Sequence, residues 1–133
     1  MPLRIVTYTI KVTPLGKPRM TQRDQWKTRA CVLRYRDFCD KLRGDLGLKG
    51  KLKTAPVRVD WVAYFPIPET VSALTRANMA GRPHQAKPDR DNVDKGILDA
   101  LFADDSSAAS GMIEKRWDDG NGPRIVLKLY WQQ

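Results

Sequence analysis

Six aspartates lie within one short segment, KPDRDNVDKGILDALFADDS, at positions 87–106. They are Asp89, Asp91, Asp94, Asp99, Asp104 and Asp105. Hard divalent cations such as Mg²⁺ prefer carboxylate oxygens, and they keep positions open for water and phosphate. A cation held in this way polarises a phosphoryl oxygen and activates water for hydrolysis. The segment therefore indicates a magnesium site that acts on phosphate groups.

Part of this acidity has a structural explanation, because Asp is a preferred residue at the start of a helix. A helix is expected from about residue 91 to 101, so Asp89 and Asp91 stand at its beginning. Capping does not explain Asp104 and Asp105, since negative charge beyond the end of a helix opposes the helix dipole. Lys95 follows Asp91 by one turn. It is either an ordinary ion-pair partner or a lysine that faces the scissile phosphate.

Other catalytic patterns are weak in this chain. Restriction-type nucleases carry Pro-Asp and then Asp or Glu two residues before a Lys, and no acid here has a Lys at that spacing. One histidine, His84, cannot form a zinc cluster and is expected in a loop near the acidic segment. Cys31 and Cys39 have no second pair of cysteines, which also disfavours zinc.

The charge of the chain is unevenly distributed. The formal net charge is +9, and residues 1–58 carry fifteen Lys and Arg against four acids. Residues 87–106 carry three basic residues against six acids. A concentrated basic excess favours a polyanionic partner, above all nucleic acid, over a face that is merely solvated. A cation would then separate the acidic segment from the phosphates.

Hydrophobic periodicity predicts an α+β fold, a small mixed β-sheet of about four strands packed with two main helices, in the order β-α-β-α-β-β. The 133 residues are expected to form one domain, 1–133. The expected strands are Ile5–Val12, Val57–Phe65, Gly111–Trp117 and Arg124–Trp131, with the last two joined as a hairpin by the turn 118–122. The expected helices are Asp24–Leu46, 91–101 and a short one at Glu69–Met79. The first is expected to bury Cys31, Tyr35, Phe38 and Leu42, and the second Val93, Ile97, Ala100 and Leu101.

No targeting or membrane segment is expected. No apolar run approaches the length of a membrane span, and the first residues lack the apolar block of a signal peptide. The two cysteines are expected to be reduced core residues. A cytoplasmic protein that does not bind membranes is predicted.

The acidic segment also carries a family resemblance. Lys87-Pro88-Asp89-x-Asp91-Asn92-x-x-Lys95, with Leu98-Asp99-Ala100-Leu101 and Asp104-Asp105-Ser106, resembles the signature of the RusA-type Holliday junction resolvases. Gly16-Lys17-Pro18-Arg19-Met20 and Phe65-Pro66-Ile67-Pro68 match as well, so the resemblance spans most of the chain. These enzymes are endodeoxyribonucleases common in phages and prophages. They use Mg²⁺ and resolve four-way DNA junctions as homodimers. For this chain the expected cofactor is therefore Mg²⁺, with Mn²⁺ as a substitute.

The resemblance assigns roles to individual residues. It implies that Asp89, Asp91 and Asp105 are the catalytic and metal-binding carboxylates and that Lys95 is the catalytic lysine. Apart from the resemblance, the residues expected to bind DNA are the basic residues Lys17, Arg19, Arg23, Lys87 and Arg90.

Two departures from the family pattern leave alternatives open. The link between Leu101 and Asp104 is several residues shorter than the resemblance predicts, so the chain must double back at once for Asp105 to reach Asp89. Asp104 is the alternative third ligand. Asp94 stands where an uncharged residue is expected, as an outer acid or a cap. The prediction is a magnesium-dependent junction-resolving endonuclease, and the alternative is a non-catalytic basic DNA-binding protein.

Overall fold

A mixed four-stranded sheet forms the centre of the protein. The computed structural model describes residues 3–19 and 29–132. The strands are β1 (Leu3–Ile10), β2 (Arg58–Phe65), β3 (Ile113–Trp117) and β4 (Arg124–Gln132), in the spatial order β1-β4-β2-β3. Strand β4 pairs antiparallel with both β1 and β2, and β3 pairs parallel with β2.

Three described helices connect these strands. They are α1 (Ala30–Asp45), α2 (Ala73–Met79) and α3 (Arg90–Leu101), and a single 3₁₀ turn follows at Asp105–Ser107. The described order is β-α-β-α-α-β-β, and the prediction of a small α+β fold is confirmed. No described helix is long and apolar enough to cross a membrane.

Strand β2 supplies the middle of the core, because its side chains alternate between buried and partly exposed. Val59, Trp61, Ala63 and Phe65 point into the core, as the sequence pattern predicts. Strand β4 contributes a matching row at Ile125, Leu127 and Leu129. The strand ends where Pro66 removes a backbone donor from the ladder.

Helix α1 begins later than the sequence pattern predicts. Residues 24–28 of the expected helix lie outside the described residues, and Arg29 has an extended backbone, so the described helix starts at Ala30. The guanidinium of Arg29 donates to the Arg19 carbonyl and holds this end of the helix against the segment that contains Arg19. The helix ends before Gly47, whose positive φ of 73° completes the reversal of the chain.

The buried stripe of α1 is also rotated from the expected one. Tyr35, Phe38 and Leu42 are buried as predicted, but Cys31 is only partly buried. Val32 takes the first buried position, and Cys39 joins the stripe next to Phe38. The expectation that both cysteines are core residues is therefore wrong for Cys31, because the centre of the apolar face lies one residue further along.

Helix α3 packs as its sequence pattern predicts, with Val93, Ile97, Ala100 and Leu101 buried. Polar contacts set its position against the rest of the fold. The Tyr35 hydroxyl donates to the Gly96 carbonyl at 2.8 Å, and the Arg43 guanidinium donates to the Ala100 carbonyl at 2.9 Å. These bonds join α1 to α3 alongside the apolar contacts.

The predicted hairpin between the last two strands is wrong. Strands β3 and β4 do not pair with each other, because β2 lies between them. The backbone N–H of Asp118 donates to the Phe65 carbonyl at the end of β2, so the connection crosses this strand. The Asp118 and Asp119 side chains accept backbone hydrogen bonds within the connection, which therefore has the local chemistry of a turn without being a hairpin.

Candidate metal centre and nucleic-acid interface

An open cleft lies at the start of α3, and we call it the acidic cleft. Its volume is about 650 Å³. The residues that line it are His84, Gln85, Ala86, Lys87, Asp89, Arg90, Asp91 and Lys115. The structure thus brings two of the predicted carboxylates, Asp89 and Asp91, into one cavity with two of the predicted DNA-binding residues, Lys87 and Arg90.

The side chains of Asp89 and Asp91 are both exposed and take no part in the hydrogen bonds and ion pairs that the structure describes. Asp89 stands at the N-cap position of α3, but its side chain makes no capping hydrogen bond. Asp91 lies in the first turn and is exposed. Among the residues that the structure describes, neither side chain has a hydrogen bond or an ion pair. The capping explanation therefore does not account for Asp89, and both carboxylates remain available to a cation.

A second cleft, which we call the basic cleft, lies beside the same helix. It has a volume of about 480 Å³ and is lined by Lys17, Pro18, Arg19, Asn92 and Lys95. Lys95 follows Asp91 by four residues, so the two side chains start from the same side of α3. They form no ion pair within the described part of the chain, so Lys95 is not the ordinary ion-pair partner of Asp91.

The loop that carries Lys17 and Arg19 is fixed against α3 by a close approach of the two backbones. The N–H of Lys17 donates to the Asn92 carbonyl at 3.3 Å. Gly16 has no room for a side chain, because a Cβ there would lie 2.4 Å from Asn92 Nδ2 and 2.8 Å from Pro88 Cβ. Only glycine lets this loop sit on the first turn of the helix.

Lys17 differs from the other predicted DNA-binding residues because it already has an anionic partner. Its ammonium forms an ion pair with the Asp99 carboxylate, and both side chains are half-buried. Arg19 is exposed at the edge of the basic cleft. Arg23, also predicted to bind DNA, lies outside the described residues.

Asp104 and Asp105 lie beyond the far end of α3, and neither lines the acidic cleft. Helix α3 has twelve residues, so it separates its two ends by about 18 Å. The Asp104 carboxylate accepts hydrogen bonds from the backbone and hydroxyl of Ser106, and these bonds lower the pKa of Asp104. Asp105 begins the 3₁₀ turn. Among the described residues, Asp105 is therefore not grouped with Asp89 and Asp91 closely enough for the three to share a metal ion.

Asp94, the unexpected acid of the motif, has a structural partner. Its carboxylate accepts a hydrogen bond of 2.8 Å from the indole N–H of Trp61, whose side chain is almost fully buried. This bond ties α3 to β2 and removes Asp94 from the acidic cleft, whose lining does not include it.

The wall of the acidic cleft contains His84, which the sequence predicts near the acidic segment, and Lys115, which the sequence motifs do not single out. His84 is buried and stacks on Phe65, with ring centroids 4.1 Å apart. Burial, and next the charge of Lys115, lower the pKa of His84. Lys115 itself lies on the face of β3 that also carries Ile113 and Trp117. A lysine between two apolar residues that pack on the core is the signal that could have identified it.

The donor chemistry of the acidic cleft fits a hard divalent cation. Mg²⁺ is commonly bound by one or two carboxylates together with substrate phosphates. Asp89 and Asp91 provide two carboxylates that have no hydrogen bond or ion pair among the described residues. In the part of the chain that the structure describes, no three His, Cys, Asp or Glu residues are grouped closely enough to share a metal ion. The fit therefore rests on two protein ligands.

These features define an α+β protein with an acidic cleft and a basic cleft beside one helix. The chain belongs to the endodeoxyribonuclease RusA family, whose model matches residues 10–130. The match covers nearly the whole chain, including both clefts. Membership of this family supports a DNA-cleaving activity. A comparison with curated proteins finds no match.

Proposed function

We propose that this protein is a magnesium-dependent endonuclease that resolves four-way DNA junctions as a homodimer. The observation that carries the proposal is the pair of carboxylates, Asp89 and Asp91, which share one cleft and have no hydrogen bond or ion pair among the described residues. Family membership supports DNA as the substrate. The excess of basic residues in the chain also supports a polyanionic binding partner.

Asp89 and Asp91 would hold the cation at the start of α3. When bound, Mg²⁺ would polarise the scissile phosphate and activate water for attack on it. Mn²⁺, which accepts the same oxygen ligands, is expected to substitute. Asp105 stays a predicted ligand from the family resemblance, and it has less support than the other two because it does not line the acidic cleft.

The basic residues would bind and orient the DNA. Lys95 lies in the basic cleft on the same side of α3 as Asp91, where its ammonium can stabilise charge that builds on the phosphate during cleavage. Arg19 would contact the backbone of the same strand. Lys87 and Arg90 line the acidic cleft and would contact phosphates on its other side.

The test is incubation with a synthetic four-way junction in Mg²⁺, in Mn²⁺ and in EDTA. Paired incisions are expected with either metal and none in EDTA. Linear duplex of the same sequence serves as the substrate control. Metal-independent binding without incision would support the alternative, a non-catalytic DNA-binding protein, and would contradict the proposal.

A further inference from the structure

Lys115 occupies an unusual position for a lysine. Its side chain leaves β3 on the same side as Ile113 and Trp117, both of which pack on the core. Burial lowers the pKa of its ammonium, while the nearby charge of Asp89 acts in the opposite direction. An apolar residue at this register would avoid the cost of removing a charge from water. The groups that the ammonium binds therefore bear on what Lys115 does at this position.

The ammonium of Lys115 is bound to the segment that leads into the acidic cleft. It donates to the Ala86 carbonyl at 2.7 Å and to the Pro88 carbonyl at 2.6 Å. The Pro88 carbonyl belongs to the peptide group that ends at the nitrogen of Asp89, so this bond fixes the backbone from which the Asp89 side chain starts. Lys115 also lines the cleft together with Asp89 and Asp91.

The rest of the same segment is attached to β3 by its backbone. The Trp117 N–H donates to the Arg82 carbonyl at 2.8 Å, and the His84 N–H donates to the Lys115 carbonyl at 3.0 Å. After His84 the described hydrogen bonds from β3 to residues 85–88 come from the Lys115 ammonium alone. The backbone hydrogen bonds between β3 and this segment thus end at His84, and the Lys115 ammonium donates the next two, directly before Asp89.

We propose that Lys115 is a positioning residue of the cleavage site, which holds the peptide groups before Asp89 so that this carboxylate is oriented toward the cation. The inference rests on the proposed function. Two of the three ammonium protons of Lys115 are used on backbone carbonyls, so its role differs from that of Lys95, which faces the basic cleft without an ion-pair partner among the described residues.

The test compares Lys115→Met with Lys115→Arg, because arginine keeps both the donors and the charge and methionine keeps neither. Mn²⁺ binding to the free protein, followed by water-proton relaxation, is the first measurement. Electrostatics alone predicts tighter Mn²⁺ binding in Lys115→Met, since a positive charge near the site has gone. If Lys115 positions Asp89, the Mn²⁺ affinity of Lys115→Met should instead fall by about tenfold or more, as found for groups that orient metal ligands. Lys115→Arg should stay near the wild type.

Junction cleavage and local hydrogen exchange complete the experiment. Lys115→Met should lower kcat by about tenfold or more with little change in KM, and amide exchange should rise in residues 86–91. In Lys115→Arg, kcat and the amide exchange of residues 86–91 should stay near their wild-type values. Mn²⁺ binding that is equal or tighter in Lys115→Met, or cleavage equal to the wild type, would overturn the inference while leaving the proposed function intact. A wild type that binds no Mn²⁺ would instead remove the metal site and this inference with it.

Discussion

At the scale of single residues, Asp89 can be tested without confusing catalysis with stability. Its carboxylate makes no capping bond, so Asp89→Asn should leave the fold almost unchanged. Cleavage of a four-way junction should be abolished, because a neutral amide is a poor ligand for a hard cation. Junction binding in EDTA should be equal or tighter, because one negative charge facing the phosphates has gone. Gel-based cleavage and binding assays measure both.

Asp37 provides the matched control for that substitution. It is an exposed acid on α1 that lines neither cleft. Asp37→Asn changes the net charge by the same amount, so it separates a general electrostatic effect from loss of a ligand. If Asp89→Asn cleaves at the rate of Asp37→Asn, Asp89 is no part of the metal site.

Lys95 is the residue for which a structural and a catalytic role predict different results. It has no ion-pair partner among the described residues, so Lys95→Ala should cost little stability. Loss of one preorganised positive charge at the phosphate should lower the cleavage rate by roughly a hundredfold. Single-turnover rates and thermal melts give the two quantities. Parallel losses of melting temperature and rate would make Lys95 a structural residue.

At the scale of elements, the site depends on where α3 sits against the sheet, and Asp94 tests that dependence. Asp94→Ala would leave the buried indole N–H of Trp61 without its acceptor. An unsatisfied buried donor costs about 1–3 kcal/mol of unfolding free energy. Urea unfolding should show this loss, whereas Asp94→Asn, which keeps an acceptor oxygen, should lose less. Asp94→Ala as stable as the wild type would contradict the anchoring role.

The elements themselves could be predicted where a repeating pattern reports burial. The spacing of Val93, Ile97 and Leu101 predicts the buried side of α3, and the alternation along β2 predicts its inward residues. The order of the strands could not be predicted, because Asp118 to Gly122 has the residues of a hairpin turn and local chemistry does not reveal that β2 intervenes. Pairing is decided by contacts that are distant in sequence.

The candidate site, like the fold, could be predicted only in part from the sequence. The motif identifies Asp89, Asp91 and Lys95, because these residues lie close together in sequence and on one helix. Lys115 was missed because its bonds to Ala86 and Pro88 join residues almost thirty positions apart. The location of Asp105 depends on the path of a short link rather than on residue type, so the motif alone could not determine it.

At the scale of the whole molecule, the basic half of the chain should dominate the salt dependence of DNA binding. Each phosphate contact contributes about 0.9 to the slope of log affinity against log salt. Arg19→Ala should flatten the slope by about 0.9, and Lys17→Ala by less, because the Lys17 ammonium is already paired with Asp99. Binding titrations at several salt concentrations, with junctions of different sequence, measure this effect.

Lys128 is the control for that series. It is an exposed lysine on β4, and it points away from the face that carries Leu127 and Leu129. Lys128→Ala should leave the salt slope unchanged. A slope that is the same in Arg19→Ala and in the wild type would exclude the basic cleft from the interface.

Symmetry of the assembly determines whether one encounter with a junction can produce two cuts. A four-way junction has near two-fold symmetry, so a two-fold homodimer would present one acidic cleft to each of two opposed strands. The described part of each 15.2 kDa chain has one acidic cleft with this pair of carboxylates, so a single chain should cut one strand only. Mixed dimers of wild-type and Asp89→Asn chains, purified through two different tags, should therefore nick a junction in one strand where wild-type dimers make paired incisions. Light scattering that gives the monomer mass, or mixed dimers that still cut both strands, would contradict this arrangement.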